Sequence, residues 1–125
     1  MLYDGAKRYG AVAHHMAARV DTGPIIFEWT FHIGSTDAVA SLRNRILAAM
    51  LGIFSDVIEA LPNIPRSDTK WTRRPYRRSE LDVLRRIAPK MSESEIRRRI
   101  RATHFPGKPG TYLTLAGRRF ILDQA

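Results

Sequence analysis

"HHMAARVDTGPII", residues His14 to Ile26, sets two apolar stretches on either side of a tight turn, with two histidines and one acid at its edges. Asp, Gly and Pro in such close succession predict a turn on backbone grounds, through side-chain hydrogen bonding to the chain and the fixed φ of proline. What flanks that turn decides the fold. Before it, Ala11 to Met16 reads as a short strand with Val12, His14 and Met16 on one face. After it, Pro24 to Ile33 alternates clearly: Ile25, Phe27, Trp29, Phe31 and Ile33 share one face, Glu28, Thr30 and His32 the other. Two antiparallel strands are therefore expected around Asp21.

Working outward, Met1 to Gly10 predicts a short helical tail stopped by glycine. On the other side Ser35 or Thr36 is expected to cap a long helix, with Asp37 near its positive end. Val39, Leu42, Ile46, Ala49, Ile53 and Val57 recur at helical spacing as far as Leu61, where Pro62 stops the pattern. That stripe reads as core. Pro62 to Pro75 is a proline-punctuated connector. Ser79-x-x-Asp82 predicts the start of a short helix, and Ser92-x-x-Glu95 is a capping box with Met91 and Ile96 at staple spacing. The second of these helices should carry Ile96 and Ile100 inward and Arg97, Arg98, Arg99 and Arg101 mostly outward. After the break at Pro106 to Gly110, Tyr112–Leu115 and Arg118–Leu122, joined by Ala116-Gly117, predict a closing β-hairpin.

Composition narrows the class. The chain has 125 residues, 44% of them hydrophobic, enough for one domain or part of one with an ordinary core. Its longest apolar run, the nine residues from Ile46 to Phe54, is too short to span a bilayer. The opening residues lack the apolar centre of a signal peptide, and the absence of cysteine excludes disulfides and thiolate metal sites; a cytoplasmic protein is expected. The net charge of +9 is unevenly placed: Arg66 to Arg101 holds 13 Lys or Arg against five Asp or Glu. Such a block can bind phosphate-rich partners by releasing counterions, or can form a solvated helical surface.

Placed on these elements, the opening stretch takes a recognisable form. Gly10-Ala11-Val12-Ala13-His14, followed by Val20-Asp21-Thr22-Gly23-Pro24-Ile25-Ile26, resembles the folate-dependent formyltransferases, the family of glycinamide ribonucleotide, methionyl-tRNA and sugar-amine formyltransferases. The later stretch "RIRATHFPGKPGTYLTLAGRRFIL", with Trp71 and Tyr76, is similar to the methionyl-tRNA and sugar-amine branches. The resemblance implies an α/β fold. Residues 1–65 would be the C-terminal half of a Rossmann-like catalytic domain, an antiparallel strand pair plus a long helix. Residues 66–125 would be a basic helical segment and a β-hairpin.

It also implies a chemistry: an amine attacks the formyl carbon of 10-formyltetrahydrofolate, passing through a tetrahedral oxyanion. Donors must face that oxygen and a carboxylate must take the amine's proton. Asp21 matches the family's acid, and His14 the histidine that lines the same pocket. The backbone of Ala17, Ala18, Arg19 and Val20 matches the loop that encloses the pterin. No metal is implied. The oxyanion donors come, in the family, from an Asn-x-His-x-Ser-type loop, yet the only asparagines here, Asn44 and Asn63, are not followed by such a histidine. The chain is accordingly read as the C-terminal half of a formyltransferase, incomplete and inactive by itself, with the amine (aminoacyl-tRNA, amino sugar or small amine) left open.

Bland readings stand beside this one. Without the seven-residue offset from His14, Asp21 is a turn residue; with it, the functional reading is favoured. His15, on the opposite strand face, is read as structural, while His32 and His104 lack a partner at metal spacing. Asp-Thr-Gly is also the signature of aspartic proteases, in which two carboxylates share one proton. That fold is all-β, and the 26-residue amphipathic run from Ser35 to Ala60 contradicts it. The remaining alternative is a non-enzymatic nucleic-acid-binding module on Arg66 to Arg101, which lacks the aromatic interleaving of a stacking platform.

Overall fold

The computed structural model describes residues 1–71 and 76–122, so Arg73 and Arg74 of the basic block lie outside the described residues. In chain order the elements are β1 (Arg8–His14), β2 (Ile25–His32), α1 (Val39–Glu59), α2 (Arg78–Arg85), β3 (Arg86–Ile87), α3 (Glu93–Thr103), β4 (Tyr112–Leu115) and β5 (Arg118–Ile121). They fall into two compact units. One comprises Lys7–Ile33 and Arg43–Pro75; the other Met1–Ala6, Gly34–Leu42 and Tyr76–Ala125.

In the first unit β1 and β2 pair antiparallel, with Tyr9 opposite Phe31, Ala11 opposite Trp29 and Ala13 opposite Phe27. Directly paired residues share a sheet face, so these six side chains make one apolar surface. Arg8, Glu28, Thr30 and His32 fall on the other face and are exposed, as one-sided antiparallel sheets require. Against the apolar surface lies α1. Gly52 lets the helix backbone approach the Trp29 ring so closely that a Cβ there would sit 2.5 Å from it. Trp29 in turn donates its indole N–H to Asp56 at 2.9 Å. Arg45 stacks 4.1 Å over the Phe31 ring and donates to the His32 carbonyl at 2.7 Å. Ile25, Ile26, Ala49 and Ile53 are buried in this unit.

Met1 to Gly10 is not a helical tail. Residues 2–5 form a turn closed by the Gly5 N–H on the Leu2 carbonyl at 3.2 Å, with Gly5 at φ 71°, and the chain then enters β1 at Arg8. Tyr9, Ala11 and Ala13 have cross-strand partners on β2, and ten residues closed by a glycine offer too little to offset helix nucleation. At its other end β1 stops at His14, so Met16 does not share the strand's face and stands 96% exposed. The long helix is also entered differently. The helix begins at Val39, where the Ser41 hydroxyl accepts from the Ala38 N–H at 3.1 Å and donates to Asp37 at 2.8 Å, beyond the expected caps Ser35 and Thr36.

In the second unit the Ser92 cap forms as expected, its hydroxyl accepting from the Glu95 N–H at 3.3 Å. Glu80, rather than a Ser79–Asp82 pair, closes the start of α2 by accepting from the Arg77 N–H at 2.7 Å. The hairpin is present, and its two-residue turn has positive φ at both Ala116 (48°) and Gly117 (74°), the pattern that matches strand twist. A two-residue strand went unread: β3 pairs parallel with β4, Arg86 opposite Tyr112, and α3 supplies the crossover. Among the described residues no helix is long and apolar enough to cross a membrane.

Of the α3 arginines expected mostly outward, Arg97 and Arg98 are exposed, while Arg99 and Arg101 turn to backbone carbonyls. Arg97 is exposed and pairs with Glu93. Arg98 and Arg99 both grip Glu95, each at 2.6 Å. Arg99 also donates to the carbonyls of Val83, Leu84 and Arg86 at 3.0–3.1 Å, and Arg101 to those of Gly34 and Asp37 at 2.8 and 2.7 Å. Carbonyls at the C-terminal end of α2 and in the turn before α1 have acceptor capacity that these guanidinium donors meet.

Candidate active site

The two predicted catalytic residues sit at the end of one strand and in the turn that follows. At Ala13/His14 the ladder slips by a β-bulge, which bends the strand and re-aims the His14 side chain. His14 is half-buried, with Nδ1 2.9 Å from the His15 carbonyl oxygen. The loop then runs out through Met16 to Val20, all exposed, and returns at Asp21.

Asp21 adopts φ 52°, a left-handed conformation that aspartate tolerates better than most residues but that still costs energy. Among the described residues its carboxylate, half-buried, has no hydrogen-bond or ion-pair partner. Thr22 secures the loop by donating its hydroxyl to the Arg19 carbonyl at 2.8 Å. Gly23 is buried where the chain doubles back: a Cβ there would lie 1.7 Å from the His15 carbonyl oxygen and 3.2 Å from His14 Nδ1. Only glycine can close the turn against the strand end. The His15 N–H then donates to the Pro24 carbonyl at 2.9 Å, joining the two flanks. His15 itself fits its structural reading, although its Nε2 is buried without a partner among the described residues.

A residue that the motif did not include completes the arrangement. Trp71 donates its indole N–H to the Gly23 carbonyl at 2.7 Å and sets its ring edge-to-face with His14, centroids 5.1 Å apart at 81°. One side chain thus touches both the turn and the histidine. Its aromatic character and its place in the connector were visible in sequence, but nothing local ties it to a turn 48 residues earlier. Ala17, Ala18, Arg19 and Val20, proposed from the resemblance as a pterin loop, are all exposed. Arg19 is the only one of the four whose main chain is engaged by a side chain among the described residues.

Chemically, the site offers an accessible carboxylate on a strained, glycine-locked turn and an imidazole held from two sides. An unpaired, half-buried carboxylate can accept a proton from a bound nucleophile. The exposed main-chain groups of Ala17, Ala18 and Val20 could hydrogen-bond a planar heterocycle such as a pterin. No group of three or more histidine, aspartate or glutamate side chains among the described residues could hold a metal ion. A cleft of about 420 Å³ between His104, Lys108, Pro109, Ile121 and their neighbours includes none of the predicted site residues.

No family model matches the chain. It is 29% identical over 122 residues to GDP-perosamine N-formyltransferase of Brucella melitensis, a match covering 98% of this chain and 47% of that protein. The chain therefore spans about half the length of the curated relatives it matches. Its fold superposes on a sugar N-formyltransferase from Shewanella with a TM-score of 0.85 at 16% identity, covering 99% of this chain and 52% of that one. It also superposes on HypX of Aquifex aeolicus in complex with tetrahydrofolic acid, with a TM-score of 0.67 at 16% identity, covering 98% of this chain and 22% of that one. Along nearly its whole length this chain is thus similar to about half of a sugar N-formyltransferase, in sequence and in α/β fold.

Proposed function

We propose that this chain supplies the acid-bearing half of an N-formyltransferase acting on the primary amine of an amino sugar. The observation that carries the reading is the Gly23-locked turn, which holds Asp21 and His14 around one strand end. The sugar-amine acceptor is favoured by the Brucella relative, whose substrate is a nucleotide-linked amino sugar. Bound 10-formyltetrahydrofolate would supply the formyl carbon as electrophile, and no metal is called for. As the amine nitrogen bonds that carbon and the donor's own C–N bond breaks, one proton must leave the amine and one must reach the departing nitrogen. Asp21 takes the first and is placed to relay it. His14, held by Trp71 and the His15 carbonyl, orients the carboxylate or an ordered water. Ala17 to Val20 would face the pterin with main-chain groups.

The resemblance assigns the oxyanion donors to an asparagine and a histidine with no counterpart here, so the 125 residues by themselves should not turn over. The nucleic-acid reading gains nothing comparable, since Arg98, Arg99 and Arg101 are held by carboxylate and carbonyl groups. In a protein carrying both halves of the site, Asp21→Asn keeps size and turn-forming capacity but removes the proton acceptor. Turnover should fall by about a hundredfold to ten-thousandfold with folate affinity nearly unchanged, and His14→Gln should cost less. Near-normal formyl transfer by Asp21→Asn, at saturating folate and amino sugar, would return Asp21 to an ordinary turn residue. Transfer to aminoacyl-tRNA in preference to a nucleotide-linked amino sugar would overturn the acceptor.

A further inference from the structure

The two ring nitrogens of His14 have different surroundings. Nδ1 lies 2.9 Å from the His15 carbonyl oxygen, on the ring edge that faces Gly23, where an added Cβ would stand 3.2 Å from it. A carbonyl can only accept, so a neutral ring keeps this bond only with its proton on Nδ1. Turning the ring over would set a carbon against the same oxygen and lose the bond. His15 is tied down as well, its N–H donating to the Pro24 carbonyl at 2.9 Å, and Trp71 meets the His14 ring edge-to-face at 5.1 Å. Nε2 is the opposite case. Among the described residues it has no hydrogen-bond partner, and the buried side-chain polar atom left unpaired there is Nε2 of His15, not that of His14. Nε2 of His14 is therefore open to a ligand.

We infer that neutral His14 is held as its Nδ1–H tautomer and presents Nε2 as a hydrogen-bond acceptor to the incoming amine. Asp21, half-buried and without a partner among the described residues, accepts only when ionised. Two acceptors cannot bond each other, so a donor must lie between them. A primary amine in its ammonium form carries three N–H donors, enough to meet both. A developing oxyanion brings none. Neutral His14 is thus excluded from donating to the oxyanion or to Asp21, and its part narrows to receiving an N–H. The identity of that donor rests on the formyl-transfer reading, whereas the tautomer rests on the geometry of the ring alone.

Long-range proton–nitrogen NMR correlation on the isotope-labelled chain reads the tautomer directly, at about pH 8.5, where an ordinary imidazole is neutral. The His14 signals are those lost in His14→Gln. Nδ1 should resonate as a protonated, pyrrole-like nitrogen and Nε2 as a bare, pyridine-like one. A dominant Nε2–H form, which free imidazole prefers, or an even mixture, overturns the inference whether or not the protein transfers formyl groups. The acceptor role is read in a protein carrying both halves of the site. There His14→Gln keeps an acceptor oxygen at the ε position, while His14→Leu keeps bulk alone. His14→Leu should show a kcat/KM for the amino sugar about two- to tenfold below that of His14→Gln, with KM for the amino sugar raised. Equal values in the two variants overturn the acceptor role. A loss confined to kcat overturns the amine as donor and gives its place to a water. Absence of transfer by the unsubstituted protein would count against the formyl-transfer reading, while the spectrum still decides the tautomer.

Discussion

At the scale of single residues, the site depends on conformations that only certain side chains permit. Asp21 at φ 52° and Gly23 against the His15 carbonyl together fold the chain back on itself. The placing of His14 near a strand end and Asp21 in the following turn was legible because both lie within eight residues, where a strand and a turn have fixed reach. Trp71 was not, because its contact is made across 48 positions and depends on how the connector returns. Its two contacts separate experimentally. Trp71→Phe keeps a ring beside His14 but strands the carbonyl of buried Gly23, and should cost about 1–3 kcal/mol of stability. Trp71→Leu should in addition displace the His14 imidazole resonances in NMR spectra, while Trp71→Phe leaves them near their original positions. His14 resonances unmoved in Trp71→Leu would show that the tryptophan packs without positioning the histidine.

Among the elements, α1 was the most legible, since its inward stripe has helical period and its end is marked by proline. Its start lies at Val39 rather than after Ser35 or Thr36, with Ser41 accepting from the Ala38 N–H, a choice among neighbouring polar side chains that local sequence leaves degenerate. Gly52 looked like a helix weakness and is a contact. Gly52→Ala should gain about 1 kcal/mol of helix propensity. Against that, the new Cβ meets the Trp29 ring at 2.5 Å, and overpacking typically costs about 1–3 kcal/mol. Displacing the ring also endangers the indole bond to Asp56, worth about 1 kcal/mol. Overpacking wins, so urea unfolding should show a net loss of about 1–3 kcal/mol. A stabilised variant would mean that Trp29 swings aside freely.

For the whole molecule, the charge imbalance resolves into internal ties. Tyr3 donates to Glu95 at 2.8 Å across 92 positions of sequence, and Arg98 stacks 4.3 Å over the Tyr3 ring. The Tyr3 hydroxyl first, and the Arg99 guanidinium next, hold the Glu95 carboxyl down at about 2, well below its ordinary 4.5. A carboxylate depressed by folding contributes stability that is present above its unfolded value and lost as pH falls through its folded one. Between pH 4.5 and about 2 the wild-type melting temperature should therefore decline. Glu95→Gln should start lower at neutral pH and decline less through that window, the two curves converging at its acid end. Parallel curves would remove Glu95 from the linkage.

What the sequence by itself determined was most of what depends on short reach, the starts of α1 and α2 excepted. It was sufficient for the β1–turn–β2 unit, the period and end of α1, the Ser92 cap and the terminal hairpin, because alternation, helical spacing and turn chemistry act over a few bonds. Only the tertiary structure decided the rest. It made Met1–Gly10 enter a strand rather than a helix, since Tyr9, Ala11 and Ala13 have partners on β2. It brought β3, a strand of two residues and too short to leave a periodic trace, beside β4 across the α3 crossover. It turned Arg99 and Arg101 onto backbone carbonyls, and set Trp71 between Gly23 and His14. Each of these joins groups far apart along the chain, where satisfaction of buried or terminal backbone groups outweighs local preference.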